Sequence, residues 1–329
     1  FLDMFFGILL ITVLNLGLSI NDNAPNLNLV NNLSLNSTKP KTQQAATQTS
    51  PKAPLYLTAA ALTTSAIASA VTIDIALSSQ QNWPIMHQGS KSVLSPPSLQ
   101  PTVLATEAYN QEWFTQGLYK DREGFYISSG LYNKSILIYQ SANQNLRYFL
   151  PPNYFAEGLT VVDDKLFLLT WREETLLIFD KKTLTLINKI SYQGEGWGLT
   201  HNEKSFIMSN GSNTLKFRDK SSFEEQYTLT IENLNHINEL EYVDGVIWAN
   251  RWYDEKIYAL DSQSGCILTS IDLKNLRLAS IAHNQKNITN GIAYDKEKNG
   301  LWVTGKYWSH RFLIALPALD KNHCSELQP

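Results

Sequence analysis

Five residues occupy matched places in a repeating pattern, and they are chemically unlike one another: Gln116, Glu157, Trp197, Asn238 and Asn290. Each stands just before a glycine or its substitute, in Thr115-Gln-Gly-Leu118, Ala156-Glu-Gly-Leu159, Gly196-Trp-Gly-Leu199, Ile237-Asn-Glu-Leu240 and Thr289-Asn-Gly-Ile292. A position kept only for structure would repeat one small or apolar residue. Here a single acid stands among amides and an indole, which marks Glu157 as the group able to move a proton. Two further indoles keep step, since Trp171 follows Glu157 by 14 residues and Trp252 follows Asn238 by 14. Lys306, in Val303-Thr-Gly-Lys306, ends the corresponding stretch of the last unit and adds one cation. Apolar walls with a few convergent polar groups describe a small-molecule pocket. Of the six histidines only His201 and His236 fall near these positions, and nothing pairs them at ligand spacing. No metal and no cofactor is therefore expected.

Bringing these residues together requires a repeat architecture. The five head positions recur at intervals of 41, 40, 41 and 52 residues. Each head opens a short strand that ends in a turn such as Asp163-Asp164, Asn202-Glu203 or Asp244-Gly245. A second strand follows (Lys165 to Trp171, Val246 to Asn250), then a third (Thr175 to Phe179, Lys256 to Leu260). Polar turns at Asp180-Lys-Lys, Asp219-Lys-Ser and Asp261 to Gly265 lead to a fourth strand, as in Leu184 to Ile190. Short strands separated by Asp, Asn and Gly turns read as antiparallel meanders, and four of them at a period of about 40 residues make a propeller blade. The pattern predicts an all-β, five-bladed β-propeller of four-stranded antiparallel blades over residues 101–318. Its first strands line a channel, and the five heads ring one mouth. No helical period of useful length follows residue 100. Bland roles also fit some of these residues. Trp171 suits packing between blades, Trp248 the core, Lys306 a solvated rim, and Asn290 the satisfaction of backbone groups. Glu173 and Glu174 read as solvated turn residues.

The ordered set of segments resembles the plant-type glutaminyl-peptide cyclotransferases, a five-bladed family also found in bacteria. Its marks are Phe114-Thr-Gln-Gly-Leu118, Ser129-Gly-Leu-Tyr132, Glu157-Gly-Leu-Thr160, Leu169-Thr-Trp171, Gly196-Trp-Gly-Leu-Thr200, Ile237-Asn-Glu-Leu-Glu-Tyr242, Ile247-Trp-Ala-Asn250, Asn290-Gly-Ile-Ala-Tyr294 and Val303-Thr-Gly-Lys306. The resemblance implies that Gln116, Glu157, Trp197, Asn238, Trp252 and Lys306 are active-site positions. It further implies a reaction in which the amine of an N-terminal glutamine attacks its own side-chain amide and ammonia leaves. Glu157 would shuttle the proton, Lys306 and Asn238 would serve the oxyanion or place the amide, and Gln116, Trp197, Trp252, Asn290 and Trp171 would hold the substrate. The chain departs from the usual pattern at Ser128-Ser129 and at Asn133, positions expected not to touch a catalytic group. Peptides or proteins beginning with glutamine are the implied partners, and a monomer is expected. The other readings are a propeller that captures a peptide terminus without turning it over, and a metal-dependent lactonase-like propeller, which would want several converging carboxylates.

The rest of the chain constrains delivery more than chemistry. A net charge of −3 lacks the basic face that nucleic acid demands, which excludes DNA and RNA as partners. Residues 1–100 read as export or anchor segments and polar linkers. Met4 to Ile20 and Leu55 to Leu77 are apolar, and the second follows Lys39, Lys41 and Lys52 and contains Ala68-Ser-Ala70. Export to the periplasm or medium is expected, with a membrane tether open through either segment. Cys266 and Cys324 either pair, tying the tail 319–329 to the body, or stay as free thiols.

Overall fold

Strands of three to seven residues, bounded by aspartate turns, build five antiparallel sheets in the computed structural model, which describes residues 98–280, 287–320 and 324. The turns follow from side-chain chemistry. Oδ1 of Asp180 accepts the main-chain N–H groups of Lys182 (3.0 Å) and Thr183 (2.8 Å). Asp219 does the same for Ser221 and Ser222 (both 2.8 Å), and Asp261 for Gln263 (3.1 Å) and Ser264 (2.7 Å). An aspartate that mimics a backbone turn fixes the hairpin between the third and fourth strands of blades 2, 3 and 4.

From the channel outward, blade 1 holds Thr115–Lys120, Gly124–Ser129, Ile136–Ser141 and Asn145–Phe149. Blade 2 holds Ala156–Val162, Lys165–Thr170, Thr175–Asp180 and Leu186–Ser191, and blade 3 Leu199–His201, Ser205–Met208, Thr214–Asp219 and Glu225–Thr230. Blade 4 holds Ile237–Val243, Val246–Arg251, Lys256–Asp261 and Ile267–Asp272. Blade 5 takes three strands from Thr289–Asp295, Gly300–Gly305 and His310–Ala315, and its outer strand, Val103–Ala108, comes from ahead of blade 1. That strand closes the ring. Arg311, buried over the Phe125 ring at 3.6 Å, fastens it through Nε (2.8 Å) and an Nη (2.6 Å) to Glu107.

Two additions lie outside the expected pattern. Ser98–Leu99 pairs in parallel with Ser270 and Ile271, adding a fifth strand to blade 4 just ahead of residue 101. A six-residue α-helix, Lys274–Ala279, lies between blades 4 and 5 and falls within the long 52-residue interval. Cys266 and Cys324 form a disulfide, so the tail is tied to blade 4. Five apolar clusters fill the faces between neighbouring blades, which is where Trp248 lies, fully buried. Truncating such an indole to alanine costs about 3–5 kcal/mol. The expected export and anchor segments lie outside the described residues. Among the described residues no helix is long and apolar enough to cross a membrane.

Candidate active site

Each head residue sits at a break in the ladder between the first and second strands. Register shifts occur between Thr115 and Gly117, Ala156 and Leu159, Ile237 and Leu240, and Thr289 and Ile292. In blade 3 the paired strand begins only at Leu199, so Trp197 precedes it. A bulge releases a residue from pairing and re-aims its side chain, here at the same place in four of the five blades. The glycine that follows the head answers a second demand. A Cβ on Gly158 would lie 2.6 Å from the Trp197 carbonyl oxygen, and one on Gly198 would lie 2.1 Å from that of Asn238. At these two places the inner strands run backbone against backbone, head beside head.

The second strand of one blade also braces the head of the next. Ser128 Oγ donates to the Glu157 carbonyl at 2.5 Å, and Ser209 Oγ donates to the Asn238 carbonyl at 2.5 Å. Asn250 Oδ1 accepts the N–H of Gly291 at 3.0 Å. The departure at Ser128-Ser129, expected to touch no catalytic group, therefore corrects to a direct contact with the main chain of Glu157. Ser129 Oγ meanwhile accepts the Phe114 N–H at 3.0 Å.

Glu157 is 5% exposed and Lys306 3% exposed, an acid and a base withdrawn from water at one mouth. Burial raises the Glu157 carboxyl well above the usual carboxylate range; Lys306 opposes that rise, while Glu195 and Glu173 add to it. Burial pushes Lys306 down to about 8, against the pull of Glu157. Gln116 Nε2 donates to Glu157 Oε1 at 3.0 Å. Lys306 Nζ lies 4.3 Å from the centroid of the Phe114 ring, a cation over an aromatic face. Asn238 is buried, and its Oδ1 has no partner among the described residues. Asn290 is wholly buried and its Nδ2 donates to the carbonyls of Thr115 and Gln116, both at 3.0 Å, which gives it the backbone-bracing role as well as a ring position.

The indoles form the wall. Trp197 and Trp252 pack edge to face with centroids 5.6 Å apart, and Trp171 packs on Phe155 at 5.4 Å. Phe155 in turn meets Tyr132 at 5.3 Å and Phe114 at 6.3 Å. All three tryptophans are partly exposed, so they line the mouth rather than the blade interfaces. The structure thus brings Gln116, Glu157, Trp171, Trp197, Trp252 and Lys306 to one mouth through a connected set of contacts. Asn238 and Asn290 join them through the main chain of the adjoining heads.

Some functional neighbours escape a reading of periodic positions. Glu173, expected as a solvated turn residue, accepts the Tyr132 hydroxyl at 2.7 Å and the Phe155 N–H at 3.1 Å. Glu195 accepts both the Trp171 and the Trp197 indole N–H. Further along the channel, Glu239 adds a buried acid that the head positions do not count. Its Oε1 accepts the N–H of Leu118 (3.3 Å) and its Oε2 that of Ile292 (2.8 Å), joining blade 4 to blades 1 and 5. Among the described residues no group of three or more His, Cys, Asp or Glu is placed to hold a metal ion.

Comparison with known proteins bears on what this mouth does. A family model described as Glutamine cyclotransferase matches residues 72–316. A plant protein named Glutaminyl-peptide cyclotransferase, from Arabidopsis thaliana, is 30% identical over 225 residues, which span 65% of this chain and 70% of that one. The crystal structure of Myxococcus xanthus Glutaminyl Cyclase superposes with a TM-score of 0.63 at 28% identity, over 69% of this chain and 99% of that one.

Proposed function

The chain belongs to the glutamine cyclotransferase family, and from that premise we propose how its head mouth closes the N-terminal glutamine of a peptide into pyroglutamate with release of ammonia. The activity is that of a glutaminyl-peptide cyclotransferase, an acyl transfer within one molecule. Nucleophile and electrophile arrive already joined, so the site must fold the side chain into an attacking geometry and manage one proton. The α-amine nitrogen bonds to the side-chain amide carbon, and the carbonyl oxygen takes up the electron pair. Glu157 accepts the proton that the amine loses and returns it to the amide nitrogen. The oxygen's pair then re-forms the carbonyl, the old carbon–nitrogen bond breaks, and ammonia leaves.

The observation that carries this reading is the burial of Glu157, with Lys306 at the same mouth and Gln116 holding one carboxylate oxygen. A carboxyl raised by burial above the ordinary carboxylate range is suited to accept and return one proton in a single cycle. The Lys306 ammonium stabilises the developing oxyanion, and the open Oδ1 of Asn238 accepts an N–H of the substrate. Trp171, Trp197 and Trp252 enclose the glutamine stem, Gln116 fixes Glu157, and Asn290 holds the Gln116 segment in place.

The test is ammonia release from a glutamine-initiated dipeptide by the purified full chain, with and without a chelator. Release at equal rates is expected. No release would leave a propeller that only binds peptide termini, and inhibition by chelator would bring a metal into the chemistry. The same reading places the enzyme outside the cytosol, as a monomer with one of its apolar segments directing export or tethering. The Cys266–Cys324 bridge supports that placement, since disulfides persist in oxidising compartments. Fractionation of the source cells, recovering the protein only from cytosol, would overturn it.

A further inference from the structure

Glu195 lies in the connection from the outer strand of blade 2 to the head of blade 3, within Gly194-Glu-Gly-Trp-Gly198. One of its oxygens, Oε2, accepts two indole N–H groups: Trp171 at 2.9 Å and Trp197 at 3.0 Å. The other, Oε1, accepts Nε of Arg172 at 3.1 Å, and that guanidinium lies 3.8 Å from the Trp171 ring centroid. The two tryptophans come from different blades: Trp171 follows the second strand of blade 2, while Trp197 is the head of blade 3. A shared acceptor fixes the angle between them, and hydrogen bonds to an ionised group are roughly twice as strong as neutral ones.

The connection does not need this carboxylate to hold its shape. Gly196 N–H bonds to the Trp171 carbonyl at 2.9 Å, Gly194 N–H to Glu174 Oε1 at 2.8 Å, and the Tyr192 hydroxyl to the Thr170 carbonyl at 2.6 Å. Trp197 is seated by other means too, between Trp252 and Gly211, where a Cβ would stand 2.5 Å from the indole. What Glu195 adds is the orientation of two pocket walls relative to each other.

We infer that Glu195 is a positioning residue that sets the Trp171 and Trp197 indoles around the substrate's glutamine side chain. This rests on the head mouth being the cyclisation site. Its charge has a second effect, because Glu195 and Glu173 both raise the Glu157 carboxyl while Lys306 lowers it and Gln116 donates to it.

Two variants of the full chain separate these effects, with the wild-type enzyme as the reference. Glu195→Ala removes acceptor and charge, and kcat/KM falls by about 10- to 100-fold, mostly through KM, because the indole walls lose their common anchor. Glu195→Gln keeps an acceptor oxygen for the indoles and removes the charge. Its KM stays within about twofold, while the acidic limb of its kcat/KM profile moves to lower pH as Glu157 becomes easier to ionise. Near-ultraviolet circular dichroism changes in the alanine variant and returns toward wild type in the glutamine variant. An alanine variant with wild-type KM, spectrum and pH profile would overturn the inference, as would a glutamine variant equally damaged in KM. Wild-type enzyme without ammonia release would sink the functional reading instead.

Discussion

The two mouths of the channel are built from the same five inner strands and do opposite things with their polar groups. At the far mouth the strand ends enclose a cavity of about 680 Å³ lined by Lys120, Arg122, His201, Glu203, Lys220 and Glu241, among others. Its charges are paired or solvated: Arg122 lies 3.7 Å from Glu297, and Lys181 3.6 Å from Asp121. Its buried and half-buried groups are spoken for. Glu241 accepts the Tyr294 N–H at 2.8 Å, and His201, pushed down to about 4 by burial, shares a hydrogen bond of 3.0 Å with Thr160 Oγ1. At the head mouth, Asn238 Oδ1, Asn290 Oδ1 and Asn250 Nδ2 are buried without partners among the described residues, and Lys306 sits over a phenyl ring. A buried polar group left open costs about 1–3 kcal/mol. That cost is incurred where a substrate can relieve it. Satisfied charge marks the far mouth; unmet chemistry marks the near one.

The largest expected effect is at Glu157. Replacing it with glutamine keeps the shape and the contact to Gln116 but ends proton transfer, so kcat falls by about 10²–10⁴-fold with KM little changed. The matched change at the far mouth, Glu241→Gln, leaves turnover at the wild-type value. Steady-state ammonia release from both variants tests the contrast, and equal losses at the two mouths would erase it.

Lys306 comes next. Lys306→Met keeps the stem over Phe114 and loses the charge, lowering kcat by about 10²–10³-fold if the ammonium serves the oxyanion. The pH profile sharpens this further. Activity rises as Glu157 ionises, from a limb above the usual carboxylate range, and falls as Lys306 loses its proton near 8. The methionine variant loses the alkaline limb and, without the cation that opposes the rise of Glu157, its acidic limb moves to higher pH. A variant profile that keeps the fall near 8 would assign that limb to another group.

How much of this was legible in the sequence divides along the same line. Blade count, strand order and the ring of heads follow from a period that side-chain chemistry repeats, so Gln116, Glu157, Trp197, Asn238 and Asn290 fall in register along the sequence. The bulges could not, because a register shift is a property of two strands and each strand alone looks regular. Glu195 was hidden for a different reason: it sits two residues from a head, in a glycine-rich connection with no period. Glu239 was hidden behind the count of heads, one residue beyond Asn238, although a charged residue where the other inner strands keep glycine was the available signal. The closing strand Val103–Ala108 carries alternation but no repeat partner, and only Glu107 opposite Arg311 reveals where it belongs.

The smallest effect on turnover should carry a clear mark on stability. Glu241 is buried, and desolvation raises its carboxyl to about 8, while hydrogen bonds from Tyr294 and Thr200 pull it down. Unfolded, the same carboxyl titrates at about 4.3. The folded state therefore holds a proton that the unfolded chain has released, and stability falls as pH rises between those two values. Glu239, raised in the same direction by burial and by Glu241, adds to the slope. Each such group contributes at most about 1.4 kcal/mol per pH unit within its window. Glu241→Gln is close in shape, since the glutamine oxygen can accept from Tyr294 and its amide can donate to Thr200. It deletes one of the two slopes and eases the ionisation of Glu239. Denaturant melts of wild type and variant at pH 5 and pH 8 are expected to agree more closely at pH 5, with the variant the more stable at pH 8. Parallel curves would mean that the far mouth keeps Glu241 charged, and the contrast between a satisfied mouth and an open one would then rest on the head residues alone.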